Sequence, residues 1–241
     1  MFPKFFLRLV NHISSNPSLH ATQEGAWIKH RHIVFLPKKG ADKLEPKSYR
    51  PISLLETFYK LLSKLHYNRL QIDPAFSQTQ FGFRPRQQMA HATYCLMSTI
   101  DHIGTSCSET CQVISLDIRA AFDRVSPTTI SQVLHMIFPN QSQFVSNYNS
   151  LVVGGSARTL TSILGDTFHL RFGSGQGDPS SGVRFLAAHL LFDAFLNFSA
   201  ARHGYSVSIN DVVVQSTSYA DDTVAIFNIQ SQLHLDSLLS V

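Results

Sequence analysis

Two kinds of apolar repeat alternate along this chain, and together they predict its elements. Phe2, Phe5, Phe6, Leu9, Val10 and Ile13 recur at helical spacing until Ser14 to Pro17 ends the run. A strand-like run with bases at both ends, Trp27 to Gly40, comes next, and a helix is expected to begin at Arg50 to Ser53, with Leu54, Leu55, Phe58, Leu61, Leu62 and Leu65 on one face. Ala92, Leu96 and Ile100 mark another helix over about Gln88 to Ile103. The run Cys111 to Asp117 reads as a strand ending on an acid. Ser126-Pro127 then supplies a cap and first-turn proline for a helix whose apolar face is Ile130, Val133, Leu134, Ile137 and Phe138. Residues 157–172 predict a hairpin with Gly165-Asp166 at or near its turn. Asp178-Pro179 opens a long helix with Val183, Leu186, Leu190, Ala194 and Phe198 inward. Val212 to Val214 and Tyr219, then Val224, Ile226 and Phe227, predict a last hairpin with Asp221 and Asp222 at its tip.

Composition sets limits on this outline. A chain of 241 residues that is 44% hydrophobic can bury a substantial core, which excludes disorder. A soft subdomain boundary falls in the loop from Gly104 to Glu109, giving residues 1–105, an N-terminal helix with a first subdomain, and 106–241, a second subdomain with the acids. Twenty basic against 16 acidic residues leave +4, and a pI near 9.0 mildly favours a polyanionic partner. Cys95, Cys107 and Cys111 are odd in number and lack a C-x-x-C pair, which argues against a disulfide scaffold or a structural zinc site and for a reducing compartment. Lys4 and Arg8 interrupt the apolar N-terminus and no small-residue cleavage site follows, so a signal peptide is not expected; nor is a run long enough to cross a bilayer.

The candidate chemistry lies in acids, bases and glycines at element ends. Asp221 and Asp222 are neighbouring anions that repel, and a bound cation would remove the repulsion. Alternation along a strand need not aim both acids the same way, so a third carboxylate is required, and Asp117 at its strand end is the candidate. Asp123 ranks below it, since it can cap the following helix or pair with Arg124. Strand-borne acids of this kind can hold two Mg²⁺ ions for in-line phosphoryl transfer, although a strand-end Asp is often structural. Lys38, Lys39, Lys43 and Lys47 either meet phosphate or solubilise a loop, and Arg50 either grips a phosphate or pairs with Glu56. Gln80-Phe-Gly-Phe83-Arg84-Pro-Arg86-Gln87 suits stacking on bases, with ordinary packing as the alternative. For His91 and Cys95, one turn apart, packing is favoured over a metal site. Gly173 to Pro179 permits close backbone approach but lacks the Lys-Ser/Thr of a Walker A loop and the context of a dinucleotide site.

In one order, the chain carries Leu36-Pro-Lys-Lys39, Tyr49-Arg-Pro-Ile-Ser-Leu54, Gln80-Phe-Gly-Phe-Arg84, Asp117-Ile-Arg-Ala-Ala-Phe-Asp123, Gln176-Gly-Asp-Pro179 and Tyr219-Ala-Asp-Asp222. These motifs, over about residues 25 to 230, resemble the reverse transcriptases of non-LTR (LINE-type) retrotransposons. The resemblance implies an α+β right-hand polymerase: a palm whose antiparallel sheet bears the acids and has helices packed on one face, with fingers of helix and strand. It implies that Asp117 and Asp221 bind two Mg²⁺ ions (Mn²⁺ as a substitute) with Asp222 assisting. It further implies that Lys38 and Arg50 contact the triphosphate, Phe122 acts as a sugar gate, Gln176 and Gly177 meet the nucleotide, and Tyr219 lies under the primer end. Gln80, Phe83 and Arg84 would lie by the template. The implied activity is RNA-directed DNA polymerisation with an RNA template, a DNA primer and dNTPs as partners, no membrane, and an intracellular, nuclear or cytoplasmic setting. Two departures accompany it. Ser180-Ser181-Gly182 stands where Ser-Pro is common, and residues 223–241 are too few for the lysine-bearing motif, primer grip and thumb expected to follow, with no endonuclease domain before Met1, so the chain is expected to be either a fragment of a longer element or a decayed copy. The alternative expectation is therefore an inactive, truncated, nucleic-acid-binding remnant.

Overall fold

The computed structural model describes residues 2–20, 26–69, 76–106, 111–118, 121–160, 164–170, 176–209 and 211–228. In chain order the elements are α1 (Phe2–Ser15), β1 (Arg31–Pro37), β2 (Tyr49–Leu55), α2 (Thr57–Arg69), α3 (Met89–Ser106), β3 (Cys111–Asp117), α4 (Ala121–Arg124), α5 (Pro127–Ile137) and α6 (Ser142–Val152). Then come β4 (Ser156–Leu160), β5 (Leu164–His169), α7 (Ser181–His203), β6 (Ser208–Ile209), β7 (Val212–Val213), β8 (Ser216–Tyr219) and β9 (Asp222–Asn228).

These elements form two compact units, each assembled from two stretches of chain: residues 1–71 with 122–185, and 72–121 with 186–241. A single cut near residue 105 does not describe them, because strands pair with partners far away in sequence. In the first unit the sheet runs β2-β1-β4-β5, with β1 and β4 parallel and the other pairs antiparallel. Tyr59, Leu62, Ile130, Leu134, Val145, Tyr148 and Leu151 are buried in this unit. Each fully buried apolar side chain of this size contributes about 1.5–3 kcal/mol. In the second unit the sheet is β3-β9-β8, antiparallel throughout, and β6-β7 is a separate small hairpin.

Several local expectations hold. The Ser126 Oγ accepts from the Thr129 N–H at 3.3 Å with Pro127 in the first turn, the cap predicted for α5. Strand β3 ends on Asp117, and α3 occupies the predicted span.

Others are corrected. Residues 49–55 are a strand, not the start of a helix; Leu55 is 6% exposed and Leu54 45%, the alternation of a strand. Pro51, which has no N–H to give, is tolerated because β2 is an edge strand. The predicted hairpin is β4 with β5, and Gly165 is near its turn as the second residue of β5, where a Cβ would overlap the Thr159 Oγ1; residues 161–163 lie outside what is described. Helix α6 was not anticipated, although Val145, Tyr148, Leu151 and Val152 are buried at helical spacing, because its Asn and Ser residues weaken the local signal. In α7 the inward face changes along the helix: Val183 and Leu186 are buried as expected, beside Arg184, Phe185 and Ala187, but Leu190 is only half-buried, Ala194 is exposed and Phe198 is 66% exposed, and the buried positions beyond Ala187 are His189, Asp193 and Ala200. This helix is long and apolar enough to cross a membrane by length and composition, where no such run was expected; 44% of its qualifying 18-residue stretch is buried within the protein.

Candidate active site

In the second unit, pairing between distant strands builds the acidic centre. Asp117 at the end of β3 lies opposite Asp222 at the start of β9, and Asp222 lies opposite Tyr219 at the end of β8. Residues directly opposite in a sheet share a face, so the three side chains form one row. Asp222, expected to assist, is the acid directly across from Asp117. Asp221 is in the two-residue turn Ala220-Asp221, where the expected tip Asp221-Asp222 moves back by one position. Ala220 has φ 56°, the left-handed region that β-hairpin turns of this length require and that alanine disfavours. Val212 and Val213, expected in the strand before the acids, belong to the β6-β7 hairpin instead.

The opposite face of the same hairpin is bolted to α7. The His189 Nδ1 lies 3.1 Å from Asp193 Oδ2 and its Nε2 lies 3.4 Å from Thr223 Oγ1. The Ser216 hydroxyl donates to Asp193 Oδ1 at 3.0 Å. One buried polar network thus fixes both strands, beside the acid on β9. Sequence reasoning missed it; the signal was a His-Asp pair four residues apart in an otherwise apolar helix. Below it Ala200, Tyr205, Ala225 and Phe227 form a core cluster.

The first unit holds the expected nucleotide contacts. Arg50 in β2 faces Leu36 in β1, and Lys38 follows two residues after Leu36, so both exposed bases stand at the same end of one hairpin. The Ser53 N–H of β2 donates to the Gln176 carbonyl at 2.8 Å, and a Cβ on Gly177, which has φ 109°, would come within 2.7 Å of the Ser53 carbonyl oxygen. The Gln176-Gly177 segment is therefore docked on the strand that carries Arg50. Asp178, buried just after it, accepts from the Tyr59 hydroxyl at 2.5 Å, the Ser63 hydroxyl at 2.7 Å, the Ser180 N–H at 2.9 Å and the Ser180 hydroxyl at 2.8 Å. Burial first, and then the Asp178 carboxylate, push the Tyr59 hydroxyl well above its ordinary value. Phe122 is half-buried, its ring 5.1 Å from that of Phe185. Residues 171–175 and the Asp123 side chain lie outside what is described.

The expected template group divides. Phe83 is exposed, at φ 59°. The Arg84 guanidinium donates to the carbonyls of Ser77 and Gln80, bracing its own loop. Gln80 is corrected: it is 1% exposed and its amide is engaged with backbone, so it presents no free group to a template.

The donor set suits hard divalent cations, since Asp117, Asp221 and Asp222 offer carboxylate oxygens alone, from the exposed or half-exposed rim of the sheet. Among the described residues no three His, Cys, Asp or Glu side chains converge as a ready metal centre. Without a cation between them, adjacent carboxylates lower their energy by splaying apart.

The family model described as "Reverse transcriptase (RNA-dependent DNA polymerase)" matches residues 36–241. The Pol polyprotein of the type-1 retrotransposable element R2 of Popillia japonica is 27% identical over 192 residues, covering 78% of this chain and 26% of that protein. The Pol polyprotein of the type-2 element R2DM of Drosophila melanogaster is 26% identical over 202 residues, covering 82% of this chain and 18% of that protein. The chain thus spans about a quarter or less of the length of these curated relatives. Among solved structures, telomerase from Candida tropicalis, in complex with a fragment of telomeric RNA, superposes with a TM-score of 0.58 at 13% identity, covering 96% of this chain and 41% of that one.

Proposed function

Because the chain belongs to the reverse transcriptase (RNA-dependent DNA polymerase) family, we propose that it is the fingers and palm of a non-LTR retrotransposon polymerase, adding dNTPs to a primer 3′-hydroxyl on an RNA template. The row of Asp117, Asp222 and Tyr219 across three strands carries this reading. Asp117 and Asp222, with Asp221 from the turn, would hold the divalent cations, Mg²⁺ first and Mn²⁺ as a substitute. Held by these carboxylates, the cations would supply the positive charge that in-line phosphoryl transfer needs. Lys38 and Arg50 would neutralise the triphosphate and orient it, a role suited to exposed bases at the end of a rigid hairpin. Gln176 and Gly177, pinned to β2, would line the nucleotide; the Phe122 ring would select the sugar; Tyr219 would support the primer end; Phe83 would stack on the template.

A second reading is a nucleic-acid-binding remnant of the same fold without catalysis, which exposed bases such as Lys38 and Arg50 would serve with no cation at the acids. The two separate on one assay with the full 241-residue chain. Primer extension on an RNA template is expected with Mg²⁺ and dNTPs and to stop with chelator, while Lys38→Ala or Arg50→Ala raises the KM for dNTP by about tenfold. Salt-sensitive RNA binding with no incorporation, by this chain and by the chain extended with its downstream coding sequence, would establish the remnant reading instead.

A further inference from the structure

The turn that carries Asp221 depends on a side chain far away in sequence. Residues 79–81 run alongside the outer edge of β8: the Phe81 N–H donates to the Ser218 carbonyl at 2.8 Å and the Ser218 N–H to the Thr79 carbonyl at 2.9 Å. This brings Gln80 under the turn. Its Nε2 donates to the Ala220 carbonyl at 2.9 Å, and its Oε1 accepts from the Ala220 N–H at 2.9 Å and from the Gly82 N–H at 2.8 Å. Both peptide groups of Ala220 are thus answered by one buried amide. Gly82 completes the fit, since a Cβ there would overlap the Ala220 backbone nitrogen.

Ala220 needs such a partner. A left-handed alanine is disfavoured, persisting only where its surroundings over-determine it, and here the surroundings are the Gln80 amide and the bare face of Gly82. If Ala220 relaxed to φ below zero, the two-residue turn would reopen, and Asp221 and Asp222 would lose the orientation that places Asp222 across from Asp117. We infer that Gln80 is a positioning residue for the carboxylates, an amide clamp on the Ala220-Asp221 turn, and not a template contact. Its consequence for catalysis rests on the polymerase reading; the clamp itself does not.

The test uses the full chain and two readouts. In metal-free buffer, Gln80→Met is expected to speed hydrogen exchange of the Ala220 amide about tenfold while the amides of β9 keep their rates, a size set by one lost hydrogen bond. In primer extension, the same variant is expected to lower kcat about tenfold with the KM for template-primer unchanged, and adding Ala220→Gly, which needs no clamp to sit at positive φ, is expected to recover most of the loss. Gln80→Glu keeps the side-chain length and the acceptor but loses the donor to the Ala220 carbonyl, and should fall between wild type and Gln80→Met; it carries the test if Gln80→Met does not fold. Unchanged exchange at Ala220, or a raised template KM with normal kcat, would overturn the inference. A wild-type chain that protects Ala220 yet extends no primer, even when lengthened with its downstream coding sequence, would refute the polymerase reading and leave the clamp standing.

Discussion

Replacing Asp222 by Asn is expected to reduce RNA-templated primer extension by at least about a thousandfold, because a carboxylate that holds a catalytic cation contributes through charge that an amide does not carry. The same substitution should move stability the other way. In the register of β3 and β9, Asp222 faces Asp117 directly. Like charges about 5 Å apart repel by roughly 1 kcal/mol where solvent screens them, and both acids are exposed. The metal-free Asn variant should therefore melt up to about 2–4 °C above wild type. Added Mg²⁺ should raise the melting temperature of wild type more than that of the variant, since only wild type gains by neutralising the pair. Calorimetric scans with and without Mg²⁺, beside the extension assay, check both signs. Equal Mg²⁺ responses would mean that the pair is structural.

Asp178→Ala is expected to cost about 3–5 kcal/mol of stability, the largest single-site effect on the fold. The carboxylate accepts from two hydroxyls on α2, Tyr59 and Ser63, and from the amide and hydroxyl of Ser180 at the start of α7. All of these groups are buried. Removing the acceptor leaves each donor without water or a replacement, and the bulk of a protein's net stability of about 5–15 kcal/mol is at stake. Asp178→Asn keeps the volume and one acceptor, so its loss should be smaller. The midpoint of urea denaturation reads both. A change below about 1 kcal/mol for the Ala variant would mean that these hydrogen bonds contribute little net stability. Extension should also suffer, because Asp178 anchors the segment in which Gln176 and Gly177 lie against Ser53.

Much of this was legible in the letters. The run from Cys111 to Asp117 is a strand ending on its acid, Ser126-Pro127 caps the helix it predicts, and the ordered motifs pointed to the family before any fold was known. What could not be read were pairings between distant segments. That Asp222 and not Asp221 faces Asp117 is a matter of register, which a one-residue change in the turn reverses. The position of Gln80 depends on residues 79–81 reaching the edge of β8, and nothing near Gln80 in sequence encodes that. An arginine- and aromatic-rich loop reads naturally as a nucleic-acid contact, yet its glutamine is turned inward. Likewise the inward face of α7 was read from apolar spacing alone, while the structure uses His189 and Asp193, polar residues that become favourable only once Ser216 and Thr223 meet them.

Catalysis of the kind proposed depends on β3 and β9 presenting their acids to divalent ions. Titrating Mn²⁺ into the full chain, with free ion followed by electron paramagnetic resonance, tests this without requiring turnover. Wild type should take up Mn²⁺ that excess Mg²⁺ displaces, and Asp117→Asn should weaken that uptake by at least about tenfold. Uptake by Asp117→Asn equal to that of wild type would contradict the assignment of the site.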